Sequence, residues 1–127
     1  MAGNLSDYLE NKLLDHFLGT TSYTMPTTVY IGLYTVAPTD AGGGTQVPGG
    51  SYARQTAAFA GASSGATSNS ANIDFAGMPA ATTVAIGVFD ALTAGTLLLW
   101  GTLTTNKTTD AGDTLRIATG DLDISID

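Results

Sequence analysis

The apolar residues of this chain change their spacing at Gly19. Before that residue, apolar side chains recur every four positions, which is the spacing of one face of an α-helix. They are Leu5, Leu9, Leu13 and Phe17. Beyond Gly19, short runs of alternating apolar and polar residues are separated by Gly, Thr, Ala and Ser, as in half-buried β-strands. The sequence therefore predicts an N-terminal amphipathic helix in residues 1–19 and a β-rich body in residues 20–127.

The predicted helix spans residues 4–18. Asn4 is expected to cap its N-terminus in a weak capping box with Asp7, and Gly19 is expected to follow its C-terminus. A helix of this length is marginally stable alone in water, so its apolar stripe is expected to pack against another surface. That surface is either the chain's own β body or a neighbouring subunit.

About seven strands are predicted after the helix, with turn residues between them. They are placed at residues 27–35, 51–60, 67–75, 82–91, 96–104, 114–118 and 121–126. The glycine- and proline-rich segment 37–50 is predicted to be a loop without regular structure, and 106–112 a turn. The segment 82–91 is expected to hold Val84, Ile86 and Val88 on one face. The run 96–104 is apolar on both faces, with Leu97 and Leu99 opposed to Leu98 and Trp100, so it is expected in the centre of a sheet or under another subunit. The pattern favours a single antiparallel β-sandwich or jelly-roll domain.

The charge of the chain excludes two classes of partner. Its net charge is −7, and only 12% of its residues are charged. The cations are Lys12, Arg54, Lys107 and Arg116. Because binding to phosphates requires clustered cations, neither nucleic acid nor an anionic membrane surface is an expected partner. No targeting or membrane-spanning segment is predicted. A low charge content favours association, as in a protein that works inside an assembly.

No catalytic constellation is apparent in the sequence. Residues 61–65 match the G-x-S-x-G nucleophile pattern, which requires a following helix and a histidine later in the chain. The single histidine, His16, comes earlier and lies on the predicted helix, so we interpret 61–65 as a hairpin turn. His16 itself is interpreted as a cap or packing residue of the last helical turn rather than a catalyst. With no cysteine and one histidine, no zinc site is expected. The sequence thus predicts a protein that is not an enzyme and holds no metal or cofactor.

The C-terminal run places several acidic side chains on one face of a strand. Asp121, Asp123 and Asp127 share that face with Ser125. Calcium would need further oxygen ligands from other segments, which the sequence does not identify. We interpret the face as solvated, with a bound calcium ion as the alternative.

Six residues are candidates for contacts with a partner. Four form the helix stripe and two lie in the predicted second strand: Leu5, Leu9, Leu13, Phe17, Tyr52 and Arg54. Seven aromatic residues also suggest a sugar-binding platform, although aromatics in alternating strands usually belong to a core, which is the interpretation we prefer. They are Tyr30, Tyr34, Tyr52, Phe59, Phe75, Phe89 and Trp100.

Five segments of the chain together resemble a family of small structural proteins of tailed bacteriophages, usually labelled tail-fibre-like or virion structural proteins. They are residues 4–18 (NLSDYLENKLLDHFL), 28–39 (TVYIGLYTVAPT), 49–55 (GGSYARQ), 86–103 (IGVFDALTAGTLLLWGTL) and 111–126 (AGDTLRIATGDLDISI). The resemblance implies a non-enzymatic virion component, assembled in the host cytoplasm, whose partners are capsid or tail proteins.

Four hypotheses for the function are open, and an enzyme is the least supported of them because no catalytic constellation is apparent. The leading one is a capsid decoration or cement protein, a homo-oligomer expected to be a trimer, which docks on the capsid through the helix stripe and the loop 37–50. The alternative is a tail or tail-fibre adaptor that forms a ring at the tail or baseplate. The third is a receptor- or glycan-binding module that uses exposed aromatic residues.

Overall fold

The computed structural model describes residues 4–126, which form mainly antiparallel β-strands and one short helix. In chain order the elements are β1 (Asn4–Leu5), α1 (Asp7–Phe17), β2 (Val29–Val36), β3 (Thr45–Gln46), β4 (Gln55–Ala57), β5 (Ala66–Ser68), β6 (Ile73–Met78), β7 (Ala81–Phe89), β8 (Leu97–Thr109), β9 (Asp113–Ile117) and β10 (Asp123–Ser125). The prediction of a mainly β, sandwich-like fold with an N-terminal helix is confirmed.

The strands form one large sheet and two small ones. The large sheet has the order β1-β8-β7-β2-β3, and β4 also pairs with β2. The small sheets are β6-β9 and β10-β5. Apolar side chains of β2 and β7 pack against those of β6 and β9 in one buried cluster, which we call the main core. The layers of the sandwich are therefore held together by apolar burial rather than by shared backbone pairing.

Strand β2 shows the predicted alternation. Ile31 and Leu33 are fully buried in the main core. Tyr30 and Tyr34 belong to a second apolar cluster on the other side of the sheet. Because both faces of β2 are covered, this strand anchors both clusters.

A bulge in β8 overturns one predicted face assignment. Val88 and Phe89 of β7 lie opposite Leu99 and Leu97, so that Leu98 is an extra residue in the ladder. Leu97 consequently belongs to the second cluster, whereas Leu99 packs against the main core. The prediction that these two leucines share a face is wrong, because one inserted residue reverses the alternation.

A second irregularity in the β7–β8 pairing places the Val84 side chain on the other face of the sheet from the one predicted. Its side chain was expected on the same face as Ile86 and Val88, but it packs against the second cluster. The pairing of β7 with β8 shifts between Thr83 and Ala85, which breaks the period of two at that point.

Several predicted boundaries also change. The strand expected at residues 67–75 is two strands, β5 and β6, with a turn between them. The strand expected to end at residue 104 continues to Thr109, which shortens the following turn. The loop 37–50 contains β3, which pairs with β2. Strand β8 does not lie in the centre of the sheet, because its only neighbour beyond β7 among the described strands is the two-residue β1.

Candidate interaction surfaces

Helix α1 begins three residues later than predicted. Ser6 caps it, and the Ser6 side-chain oxygen accepts a 3.2 Å hydrogen bond from the backbone N–H of Leu9. Asn4, the predicted cap, pairs with β8 as part of β1. The expected end is correct, since Gly19 adopts a left-handed φ of 77° directly after the helix.

The apolar stripe of α1 is buried only in its first half. Leu9 is buried against the body, and Leu5 and Leu13 are half-buried. Phe17, the last residue of the stripe, is 74% exposed. The helix packs on β8 and β1. The first half of the stripe therefore contacts the chain's own body, and the second half does not.

Three apolar side chains at the end of α1 form what we call the helix-end surface: Leu14, Phe17 and Leu18. Their positions i, i+3 and i+4 place them on one helix face. They are 56%, 74% and 77% exposed, and Met25 in the following segment is 76% exposed. Exposed apolar side chains gathered on one face indicate an interaction site rather than the scattered apolar residues of an ordinary surface.

His16 connects the end of the helix to the segment that follows it. Its Nδ1 atom accepts a 3.1 Å hydrogen bond from the backbone N–H of Tyr23. Its ring also meets the ring of Phe17 edge-on, with centroids 5.9 Å apart. The role predicted for His16, as a cap or packing residue of the last turn, agrees with these contacts.

Tyr52 uses its hydroxyl group inside the fold. The backbone N–H of Leu33 donates a 2.8 Å hydrogen bond to this hydroxyl, which in turn donates to Gln46 Oε1 at 3.0 Å. Burial raises the pKa of Tyr52, although the bond from Leu33 and the charge of Arg54 partly offset the shift. The polar end of this side chain is thus occupied within the chain.

Arg54 is also engaged within the chain. Its guanidinium lies 3.5 Å from the ring centroid of Phe89 and donates to the carbonyl oxygens of Ala91 and Ala94 at 2.9 Å and 2.7 Å. Burial lowers the pKa of Arg54, and the nearby Tyr52 and other acidic groups oppose that shift. The side chain therefore fastens the turn between β7 and β8.

A glycine pair makes room for the rings beneath Arg54. Gly32 and Gly87 lie directly opposite each other in the β2–β7 ladder. A Cβ atom on Gly87 would lie 2.8 Å from Tyr34 Cε2, and one on Gly32 would lie 2.9 Å from Phe89 Cε2. The sequence could not reveal this pair, because the register between two distant strands is not a local signal.

The aromatic residues considered for a sugar platform are mostly internal. Tyr34, Phe75 and Phe89 are buried, which confirms their interpretation as core residues. Trp100 is half-buried, and its Nε1–H donates to Asp40 Oδ1 at 2.9 Å. The three buried rings of Tyr34, Phe75 and Phe89 cannot stack on a sugar at the surface.

Strands β8 and β9 follow each other in the chain but do not pair with each other. β8 pairs with β7, and β9 pairs with β6. Between them lies a cavity of about 270 Å³, which we call the β8–β9 seam. Its apolar lining is Leu33, Ile86, Leu103, Leu115, Ile117 and Leu122. Thr83 also lines the cavity, and Lys107, Arg116 and Asp121 add charge to its edge.

The G-x-S-x-G segment is a turn. Ser63 and Ala66 exchange backbone hydrogen bonds, and the chain continues into β5 rather than into a helix. Within residues 4–126, no group of three or more His, Asp or Glu side chains could hold a metal ion. Asp127, part of the predicted acidic face, lies outside the described residues. No helix in the described part of the chain is long and apolar enough to cross a membrane.

Comparison with known families gives the class of the protein. Residues 4–125 match a family model described as podophage GP4 fiber I protein gp80. Because the match covers nearly the whole chain, this is a structural protein of the bacteriophage virion. The chain belongs to this Gp80 fibre family, which confirms the resemblance found in its sequence. A comparison with curated proteins gave no match.

Proposed function

We propose that this protein is a non-catalytic part of a phage tail fibre and attaches to a neighbouring virion protein through the helix-end surface. The observation that carries the proposal is the split stripe of α1. Its first half is buried on the body, whereas Leu14, Phe17 and Leu18 remain exposed on a helix that the body holds in place. A fixed helix with an exposed apolar face suits binding in the groove of a partner.

The energetics of the surface support attachment. Full burial of one large apolar side chain is worth about 1.5–3 kcal/mol. Three such side chains supply several kcal/mol, from which the cost of association must be subtracted. The affinity of one such contact is therefore modest. When several copies bind within one assembly, the high effective concentration of each copy strengthens binding.

The charge around the surface favours a different protein over a second copy as partner. α1 carries Asp7, Glu10 and Asp15 against the single cation Lys12, in a chain of net charge −7. Like charges therefore oppose the packing of two such helices. We propose an apolar groove with a basic rim on the partner. The homotrimer predicted from the sequence stays a prediction. Sedimentation equilibrium of the purified protein tests it.

A tail position is favoured over the capsid surface, because the matching family is described as a fibre protein. The tail-fibre and capsid decoration hypotheses differ in the number of copies that each requires per virion. A ring at the tail requires on the order of ten copies, whereas a capsid lattice requires on the order of hundreds.

Quantitative mass spectrometry of purified virions, with the major capsid protein as internal standard, measures that number. Cryo-electron microscopy of virions that carry a small tag on this chain gives its position. We expect about six to twelve copies at the tail. Hundreds of copies on the capsid would contradict the fibre position and support decoration.

A further inference from the structure

We infer that the β8–β9 seam is a second binding site, separate from the helix-end surface. It accepts an extended segment of another virion protein that carries an apolar side chain beside a carboxylate. Four observations support this inference: two strand edges that no other described strand pairs with, the volume and lining of the cavity, a buried hydroxyl group, and a cation without an ionic or aromatic partner among residues 4–126.

The strands that flank the seam have unpaired edges. β1 pairs with β8 only at Leu99 and Trp100, so residues 102–108 have no strand partner on the side away from β7 among the described residues. On the β7 side, Thr102, Lys107 and Thr108 are paired, and residues 103–106 lie in the irregular part of the ladder without a paired residue. β9 pairs with β6 and with no other described strand. Free N–H and C=O groups along such edges are what an added peptide strand binds.

The cavity is suited to an apolar side chain. A cavity of about 150 Å³ holds a benzene-sized molecule. The seam, at about 270 Å³, has room for a side chain as large as leucine or phenylalanine. Its lining residues Leu33, Ile86 and Leu115 belong to the main core, so a side chain bound there would extend that core.

Thr83 gives the cavity a polar contact point. Its side chain is fully buried, and its Oγ1 atom has no hydrogen-bond partner among the described residues. A buried hydroxyl without a partner is unfavourable, and valine would fill the same space without that cost. Thr83 lines the cavity and lies opposite Lys107 in the β7–β8 ladder, so a polar group of a segment bound in the cavity can satisfy the hydroxyl.

Lys107 supplies charge complementarity. Lys12 and Arg54 lie over aromatic rings, and Arg116 forms an ion pair. Lys107 makes no such contact with residues 4–126 and lies at the edge of the cavity. Asp121 also lines the cavity, so a carboxylate of the bound segment belongs on the Lys107 side.

The occupant is expected to come from a different protein. The segment of this chain that combines carboxylates with alternating apolar residues is 121–126. That segment is held in its own fold by Leu122, which is 1% exposed, and by the pairing of β10 with β5. Insertion of the same segment from a second copy would require it to leave these contacts.

Site-specific photo-crosslinking in assembled virions tests the inference. A photoreactive residue at Thr105, which lines the cavity, is compared with one at Ala62, which is exposed and does not line it. We expect adducts at position 105 that map to an apolar, carboxylate-bearing segment of another virion protein, and none at position 62. Adducts to this same chain, or no adduct at position 105, would overturn the inference.

A synthetic peptide with the sequence of the crosslinked segment tests the chemistry by isothermal titration calorimetry. Lys107→Gln should weaken binding about three- to fivefold, as expected for a partly exposed ion pair. Ala62→Glu changes the net charge by the same amount and should leave the Kd unchanged. Thr83→Val should weaken binding while it raises the Tm of the free protein.

Equal effects of Lys107→Gln and Ala62→Glu would show a nonspecific charge effect and refute the site. The result at the seam is independent of the position of the protein in the virion. Failure of the fibre assignment, which copy number and imaging reveal, is therefore distinguishable from failure of this inference.

Discussion

At the scale of single residues, polar side chains bind backbone groups where strand pairing ends. Asn69 is the clearest case, since it is 1% exposed. Its Nδ2 donates to the carbonyls of Ala71 and Ala118, and its Oδ1 accepts from the N–H groups of Gly120 and Leu122. These bonds use both donors and both acceptor positions of the amide. One residue thus fixes the C-terminal segment to the turn between β5 and β6.

Tyr52 likewise binds a backbone group with its side chain, because its hydroxyl accepts a hydrogen bond from the N–H of Leu33 in β2. This bond leads to the first prediction. Tyr52→Phe leaves the N–H of Leu33, a fully buried residue, without its partner and should lower the free energy of unfolding by about 1–3 kcal/mol. Urea denaturation measures the loss. Tyr30→Phe is the matched control, because no hydrogen bond of the Tyr30 hydroxyl is part of the described structure, and it should cost less than about 0.5 kcal/mol. Equal losses in both variants would show that the Leu33 bond is unimportant.

At the scale of elements, α1 combines a structural half and an exposed half. Leu9 is buried against the body, whereas Leu18 is 77% exposed. Leu9→Asp should cost several kcal/mol, because it buries a charge without a partner. Leu18→Asp introduces the same charge at the exposed end and should change stability by less than about 0.5 kcal/mol. Thermal and urea unfolding of the two variants measure the difference. An unchanged Leu9→Asp variant would mean that α1 does not pack on the body.

The sequence predicted the elements that depend on local signals. Strands β2, β7 and β9 lie within a few residues of their expected positions, because alternation and turn residues are local. The bulge at Leu98 and the separation of β8 from β9 could not be predicted, since each depends on pairing between distant segments. The helix start was misplaced because Asn4 and Ser6 are both good caps, and pairing with β8 decides between them.

The candidate site was predictable only in part for the same reason. The apolar stripe lies on a helix as predicted, but the sequence does not show which half of the stripe the β body covers. The sequence predicts Tyr52 and Arg54 as contact residues, whereas the structure places their polar groups in hydrogen bonds within the chain. The sequence does not predict the β8–β9 seam, because the residues that line it come from β2, β7, β8 and β9, which are brought together only by folding.

At the scale of the whole molecule, β8 separates the two proposed binding sites. α1 contacts the first part of this strand, where the N–H of Ser6 donates to the carbonyl of Leu98. The seam lies at the other part, from Leu103 to Lys107. One body can therefore contact two different neighbours, a property that suits a component of a fibre.

The incorporation of Phe17→Asp into virions, compared with Val36→Asp, tests the central claim most directly. Both residues are exposed apolar residues, at 74% and 57%, and both changes add one negative charge. We predict that both variants keep the wild-type Tm. Mass spectrometry of purified virions should find Phe17→Asp reduced about tenfold, which corresponds to about 1.4 kcal/mol of lost binding, and Val36→Asp at the wild-type level. Incorporation of Phe17→Asp at the wild-type copy number would contradict attachment through the helix-end surface.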